Sequence, residues 1–248
     1  MKRWIVKTAI GACGLAVPWV VVTRTWAFDL TIDTGQRAAG PLELAALLTL
    51  ITLAPAILIM LTSFTRIVIV LSLLRQALGL QQTPPNMVIS GLAMFLTALV
   101  MAPTWQRIQT SALQPYIAGR MTPELAVEAA EVPLRDFMLR QTRAPDLAMA
   151  QQLMTKSDNR AAVSDGRKLP FYALVPAFIS SELTSAFRVG FLIYLPFLVI
   201  DVVTSAVLMA LGMFMLPPAM ISIPLKLLIF TLASGWPLLL GNLAASFT

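Results

Sequence analysis

The last third of the chain, residues 169–248, is a long apolar stretch that carries only four charged side chains. A segment of this kind must be buried in lipid or against other protein, because apolar surface is costly to expose to water. We predict an apolar approach helix at 169–185, followed by a helical hairpin at about 186–211 and 219–241. A tight turn rich in Met and Pro joins the two arms of the hairpin. The four charged residues are Glu182, Arg188, Asp201 and Lys226.

The composition of the whole chain also indicates an integral membrane protein. Of 248 residues, 58% are hydrophobic and 12% charged, against about half and about a quarter in soluble domains. The sequence has no histidine and one cysteine, Cys13, so it cannot build a disulfide framework, a cysteine zinc site or a Cys/His catalytic pair. Gly79, Gly91 and Gly212 do not form a nucleotide-binding fingerprint. We therefore predict no enzymatic activity, no metal site and no cofactor.

The first 27 residues resemble a secretory signal peptide. Four cations and no acid lie in this segment, and an apolar run occupies 8–23. The small residues Thr25 and Ala27 suit cleavage between Ala27 and Phe28. The alternative is an uncleaved first membrane helix.

A first apolar hairpin is predicted at 44–103. The uncharged run 44–65 is long enough to cross the hydrocarbon core, which takes about 20 residues. Pro55 is expected to bend it. A second apolar helix at 87–101 is expected to end at Pro103.

Residues 104–168 differ in character, with 9 Lys and Arg and 7 Asp and Glu. A Thr-Pro-Glu sequence starting at Thr122 predicts a capped helix start. Pro133 is expected to break or bend that helix, and another helix should open at Ala144. These features predict an inserted polar helical domain.

Charge distribution predicts the topology. The connection after the first span carries Arg66 and Arg75 without an acid, so it should face the cytoplasm. The mature N-terminal segment, 28–43, and the domain at 104–168 should then lie on the external side. The turn of the second hairpin faces inward.

The four charges of the apolar third are candidates for helix or subunit contacts, since ionisable groups at membrane depth are usually paired or functional. We predict that Glu182 and Lys226 pair between packed segments and set the register of assembly. Arg188 and Asp201 are further candidates for subunit contacts. One alternative is that these groups reach water at an interface, and a proton-relay carboxylate is another.

Two groups of methionines stand out. Met87, Met94 and Met101 recur every seven residues, so they share a helix face, which we expect to pack in the core. The turn at 212–218 instead reads GMFMLPP. Because methionine adapts its shape, copies of this turn around an axis would form a compliant seal, whereas ordinary turn packing is the simpler alternative.

Two long motifs resemble the FliP family, the flagellar export-gate subunits of type III secretion systems. The first is LSLLRQALGLQQTPPN at 71–86. The second is distributed over 174–227, and the resemblance covers essentially 44–248. The matching pieces of the second motif are LVPAF at 174–178, SEL at 181–183, GF at 190–191, LPFLVID at 195–201, GM at 212–213, LPP at 216–218 and PLKL at 224–227.

The resemblance implies an all-α inner-membrane subunit with substantial periplasmic exposure in the flagellar basal body. It implies about five copies assembled helically with FliQ and FliR into a pore, with FlhB and FlhA nearby. Unfolded flagellar subunits would pass through this pore. The family's Met-rich constriction maps onto Met213 and Met215, while Phe214 stands where a third methionine is usual. Glu182 and Lys226 match family charges expected at subunit contacts.

Three other functions compete with this interpretation. The equivalent subunit of a virulence injectisome shares both motifs, although the signal peptide favours the flagellar branch. A small-solute transporter would have inverted repeats and a polar site at mid-membrane, and the sequence has neither. An intramembrane hydrolase lacks a visible base.

Overall fold

A computed structural model describes residues 41–158 and 169–247, and all regular structure in these residues is helical. The predicted all-α membrane-type fold is confirmed. The chain divides into two units, 1–45 and 46–248, and the described residues of the first, 41–45, are helical. The predicted signal segment 1–27, its cleavage site at Ala27 and Phe28, and 28–40 lie outside the described residues. The helices are α1 Pro41–Met60, α2 Phe64–Ala77, α3 Asn86–Ile108, α4 Gln114–Ile117, α5 Pro123–Gln141, α6 Ala144–Asp158, α7 Phe171–Ala210, α8 Ala219–Leu232 and α9 Gly235–Ala245.

Helix α2 is the centre of the fold. In the apolar run after Arg66, Ile67 and Val70 are fully buried in the main core. The core also includes Ile89 of α3, Phe137 of α5, Phe178 of α7 and Leu243 of α9, so four other helices meet α2 in this core.

Helix α3 does not end at Pro103. It continues to Ile108, and a π-helical segment, Gln109–Leu113, joins it to α4. A proline removes one backbone hydrogen bond and bends a helix, but the next residue, Thr104, is buried. Tertiary packing therefore stabilises the helix beyond the proline, and the predicted helix end at Pro103 is wrong.

The polar segment contains the two helices expected from its local signals, α5 and α6. The Thr122 hydroxyl accepts a hydrogen bond from the backbone N–H of Leu125 at 3.5 Å, which confirms the predicted cap. Helix α6 starts at Ala144 as predicted. Pro133 is buried inside α5 without breaking it.

Helix α7 is one helix of 40 residues. At 1.5 Å per residue it is about 60 Å long. Because the helix is continuous over Phe171–Ala210, the predicted division into an approach helix at 169–185 and a hairpin arm at 186–211 is wrong. Pro176 and Pro196 both lie inside the helix. Helices α8 and α9 meet at a bend of 66°, where Ser234 adopts a positive φ of 51°.

Two described helical stretches, Asn86–Ile117 and Phe171–Ala210, are long and apolar enough to cross a membrane, and the bent pair α8–α9 would make a third. Much of their apolar surface is exposed in the single chain. The core position predicted for the methionines of α3 is wrong at its first member, because Met87 is 87% exposed. Met94 is exposed as well. These surfaces need lipid or other polypeptide chains to cover them.

Candidate functional site

Arg66 and Glu182 form an ion pair in the interior of the chain. Arg66 Nε donates to Glu182 Oε2 at 2.9 Å, and Nη2 donates to Oε1 at 2.5 Å. Both residues are buried. This two-bond geometry is the strongest form of an arginine–carboxylate contact. It joins α2 to the first third of α7 and cancels two charges that would otherwise be costly in an apolar interior.

The remaining donors of Arg66 reach two other parts of the chain. Nη1 donates to the Ser246 hydroxyl and carbonyl oxygens at 3.3 and 3.4 Å, and Nη2 also donates to Gln141 Oε1 at 3.3 Å. The Phe247 ring lies under the guanidinium, 4.1 Å from its centroid. Gln141 Nε2 donates to the Phe247 carbonyl at 3.0 Å. Arg66 therefore holds the end of α5 and the C-terminal residues against α7.

The junction between α5 and α6 is fixed to the same part of α7. The backbone N–H of Arg143 donates to the Ser181 hydroxyl at 2.8 Å. The Ser180 hydroxyl donates to Asp146 Oδ1 at 3.2 Å, and Arg143 Nε donates to Asp146 Oδ2 at 2.9 Å. The polar segment is thus attached to α7 next to Glu182.

A second charged cluster lies at the other end of α2. Lys226 Nζ of α8 donates to Asp201 Oδ2 of α7 at 2.6 Å and to the Ala77 carbonyl at 3.0 Å. Ala77 is the last residue of α2, and a cation is favourable at a helix C-terminus. One buried lysine therefore joins α2, α7 and α8.

The predicted pairing of Glu182 with Lys226 is wrong. Each has a different partner within the chain, Arg66 for Glu182 and Asp201 for Lys226. Arg188 is exposed and has no ion-pair partner within the described residues. The sequence did not predict the ion pair between Arg66 and Glu182, because Arg66 was assigned to the segment that connects the first two spans. One of the two cations behind the predicted cytoplasmic orientation is therefore neutralised in the interior.

The Met-rich turn lies between α7 and α8. Gly212 adopts a φ of +74°, a conformation that glycine takes at little cost, and it ends α7. Beyond it, Met213 is 41% exposed, Phe214 79% and Met215 97%. All three side chains are accessible to other molecules in the single chain.

No group of three or more Asp, Glu, Cys or His residues that would hold a metal ion occurs in the described ranges. Their charged clusters are closed ion pairs that hold helices together. The described part of the chain is thus an all-α membrane-type protein, with internal ion pairs at both ends of α2 and an exposed methionine turn at the end of α7.

Comparison with known proteins identifies the family. Residues 47–243 match the FliP family, and the chain belongs to it. A flagellar biosynthetic protein FliP of Pectobacterium carotovorum subsp. carotovorum is 49% identical over 213 residues, covering 86% of this chain and 81% of the relative. Its counterpart in Caulobacter vibrioides is 43% identical, covering 100% of this chain and 92% of the relative. The Bacillus subtilis protein of the same name is 45% identical, covering 86% and 94%.

Proposed function

We propose that this chain is a pore-forming subunit of the flagellar protein-export gate, through which unfolded flagellar subunits cross the inner membrane. Family membership supports a place in flagellar biosynthesis. The single observation that carries the pore role is the exposed turn Met213, Phe214 and Met215 at the end of a 40-residue helix. Flexible apolar side chains from several copies would meet at an axis, close against ions and yield to a passing chain.

The exposed apolar surface supports assembly. Helices α3 and α7 leave much of their apolar surface uncovered in the single chain. We propose that about five copies, with FliQ and FliR, cover these faces, and that FlhB and FlhA lie nearby. Arg188 is exposed and Asp201 is partly exposed, which suits subunit contacts. Glu182 and Lys226 would act in assembly mainly by fixing α7 and α8 within each subunit.

The length of α7 bears on where the subunit lies. About 60 Å of helix is roughly twice the hydrocarbon thickness of about 30 Å. If the axis of α7 lies close to the membrane normal, the helix therefore extends well beyond the hydrocarbon at one end at least. We propose that the domain at 104–168 lies in the periplasm, between the apolar hairpin regions 44–103 and 169–248. The cleaved signal segment at 1–27 and the mature segment 28–43 complete the organisation. N-terminal sequencing of the mature protein should begin at Phe28, whereas an intact Met1 contradicts cleavage.

A deletion strain tests the place in flagellar export. Loss of the gene should abolish both swimming and the release of hook and filament proteins into the medium, and a plasmid copy should restore both. Normal filaments in the deletion strain, in the absence of a second gene copy, would refute the proposal. The chain would then be assigned to an injectisome, tested by the same assay on its effectors.

Ion conductance tests the methionine seal. Met213→Ala combined with Met215→Ala should raise the passage of small ions through closed channels in membranes. Met220→Ala is the control, because Met220 is also exposed, at 69%, but lies on α8 beyond the turn. Unchanged conductance in the double variant, at normal abundance of the protein, would exclude a methionine seal.

A further inference from the structure

An apolar groove of about 330 Å³ lies between α2, α3 and α9. This volume falls in the range of sites that hold small molecules, roughly 300 to 1,000 Å³. Each of the three helices contributes large apolar side chains, so these walls offer a polar ligand no hydrogen-bond donors or acceptors. Its walls include Leu74 and Leu78 of the α2 end, Ile89 and Leu92 of α3, and Trp236 and Leu240 of α9.

Among the described residues that line the groove, Arg75 is the one that carries a charge. Its Nη1 donates to Asn86 Oδ1 at 2.6 Å and to the Pro84 carbonyl at 3.2 Å. Both acceptors are neutral, so they orient the guanidinium without cancelling its charge. The side chain is only partly buried, which leaves it open to a ligand.

No acid of the surrounding helices is available to Arg75. The sequence has no Asp or Glu between Glu43 and Glu124, and none after Asp201. These intervals contain all of α2, α3 and α9. The two acids of α7, Glu182 and Asp201, are already paired with Arg66 and Lys226. The positive charge at the groove therefore lacks an acidic partner within the described part of the chain.

We propose that the groove binds an anionic phospholipid, with its phosphate on Arg75 and one acyl chain between α2, α3 and α9. Arginine forms strong charge-assisted bonds with phosphate oxygens, and basic pockets between membrane helices bind anionic headgroups. Trp236 is partly exposed on the groove wall, and tryptophan is enriched at the level of lipid headgroups. The apolar walls favour a lipid over free phosphate, because only a lipid fills the groove as well as the charge site. The proposal concerns a groove within the single chain and does not depend on the pore role.

Trp236 provides a direct readout of an acyl chain in the groove. The chain is purified with any co-purifying subunits and placed in phosphatidylcholine nanodiscs. Trp105, together with any tryptophan of residues 1–27 that remains after processing, is replaced by Phe. Dibrominated phosphatidylglycerol or dibrominated phosphatidylcholine is then added at equal mole fractions. Brominated acyl chains quench tryptophan on contact. We expect phosphatidylglycerol to bind about fivefold more tightly, the ratio expected for one interfacial arginine.

Variants separate the groove from the general membrane surface. Arg75→Gln should abolish the preference for phosphatidylglycerol, while Arg75→Lys should retain most of it. Arg107→Gln should leave it unchanged, because Arg107 is an exposed cation of α3 outside the groove. Val88→Phe, at the mouth of the groove, should weaken quenching by both lipids. A chain that keeps only Trp105, which is exposed on α3, should show no effect of Arg75→Gln.

Two results would overturn the proposal. Equal quenching by both brominated lipids in the unmodified groove would show that Arg75 does not select a phosphate-bearing anion. Protection of Trp236 from both lipids, with quenching of Trp105 intact, would assign the groove to a protein partner.

Discussion

Arg66 and Glu182 lie 116 residues apart in sequence, yet two hydrogen bonds of 2.9 and 2.5 Å join them in the interior of the chain. The same arginine also contacts the end of α5 and the C-terminal residues. Removal of this side chain therefore affects four segments of the fold, whereas removal of a surface arginine affects none of them.

Arg66→Met should lower the free energy of unfolding by about 3–5 kcal/mol, because it leaves the Glu182 carboxylate buried without a partner. The double variant Arg66→Met with Glu182→Leu should be more stable than Arg66→Met alone. Unfolding of the purified chain in detergent measures both. Arg107→Met, at an exposed position, is the control and should change stability by less than about 0.5 kcal/mol. A double variant no better than the single would contradict the importance of the unpaired charge.

Charge exchange should identify the true partners. Arg66→Glu with Glu182→Arg keeps opposite charges in contact and should recover part of the folded protein lost in each single variant. Lys226→Glu with Glu182→Lys should recover nothing, since these residues have other partners. The yield of monodisperse protein extracted from membranes is the measurement. Recovery in the second exchange would revive the Glu182–Lys226 pair.

The Asp201–Lys226 pair should respond asymmetrically. The lysine side chain is only 5% exposed and the aspartate side chain 37%. Asp201→Ala strands a buried ammonium group, whereas Lys226→Met leaves a carboxylate that reaches water. We therefore expect Asp201→Ala to be the more destabilising change. Thermal unfolding of the two variants in one detergent compares them, and the reverse order would show that the lysine acts mainly through the Ala77 carbonyl.

Gly190 of α7 packs directly against Leu73 of α2. A Cβ atom there would lie 2.2 Å from Leu73 Cδ1, so Gly190→Ala should cost about 1–3 kcal/mol by forcing the leucine or the helix to move. Gly91→Ala is the matched control on α3, because nothing lies within 4 Å of its added Cβ. It should stabilise the helix by up to about 1 kcal/mol. Equal effects of the two changes on unfolding would show that α2 and α7 can separate freely.

Local chemistry predicted the features that depend on a few neighbouring residues. The Thr122 cap and the start of α6 at Ala144 each follow from a short motif, and both are confirmed. The turn after Gly212 is likewise predicted by the neighbouring glycine and prolines. Such features need no knowledge of the rest of the fold.

The prolines show where the local rules failed. Pro103 was expected to end a helix and Pro133 to break or bend one, and each lies inside a continuous helix. An interior proline costs about 3 kcal/mol in an isolated helix, but burial of neighbouring side chains offsets that cost in a folded protein. The strength of this packing depends on distant segments, which a local pattern does not contain.

The partners in the ion pairs could not be predicted from the sequence for the same reason. Arg66 and Glu182 belong to helices that meet only in three dimensions, and a single sequence gives no measure of that proximity. The one available signal was that each is one of very few charged residues in a long apolar stretch. That signal marks both as needing partners and leaves the choice of partner open.

The sequence separation of Arg66 and Glu182 also determines how long the arginine waits for its partner during synthesis. Ribosomes add about 5–20 residues per second, so the 116 residues between Arg66 and Glu182 take roughly 6 to 23 s to synthesise. During that interval the nascent chain presents a permanently charged arginine without the carboxylate that will neutralise it. Helix α2 must therefore stay in contact with water or a polar insertion factor, and can enter its final apolar surroundings only after α7 has been made.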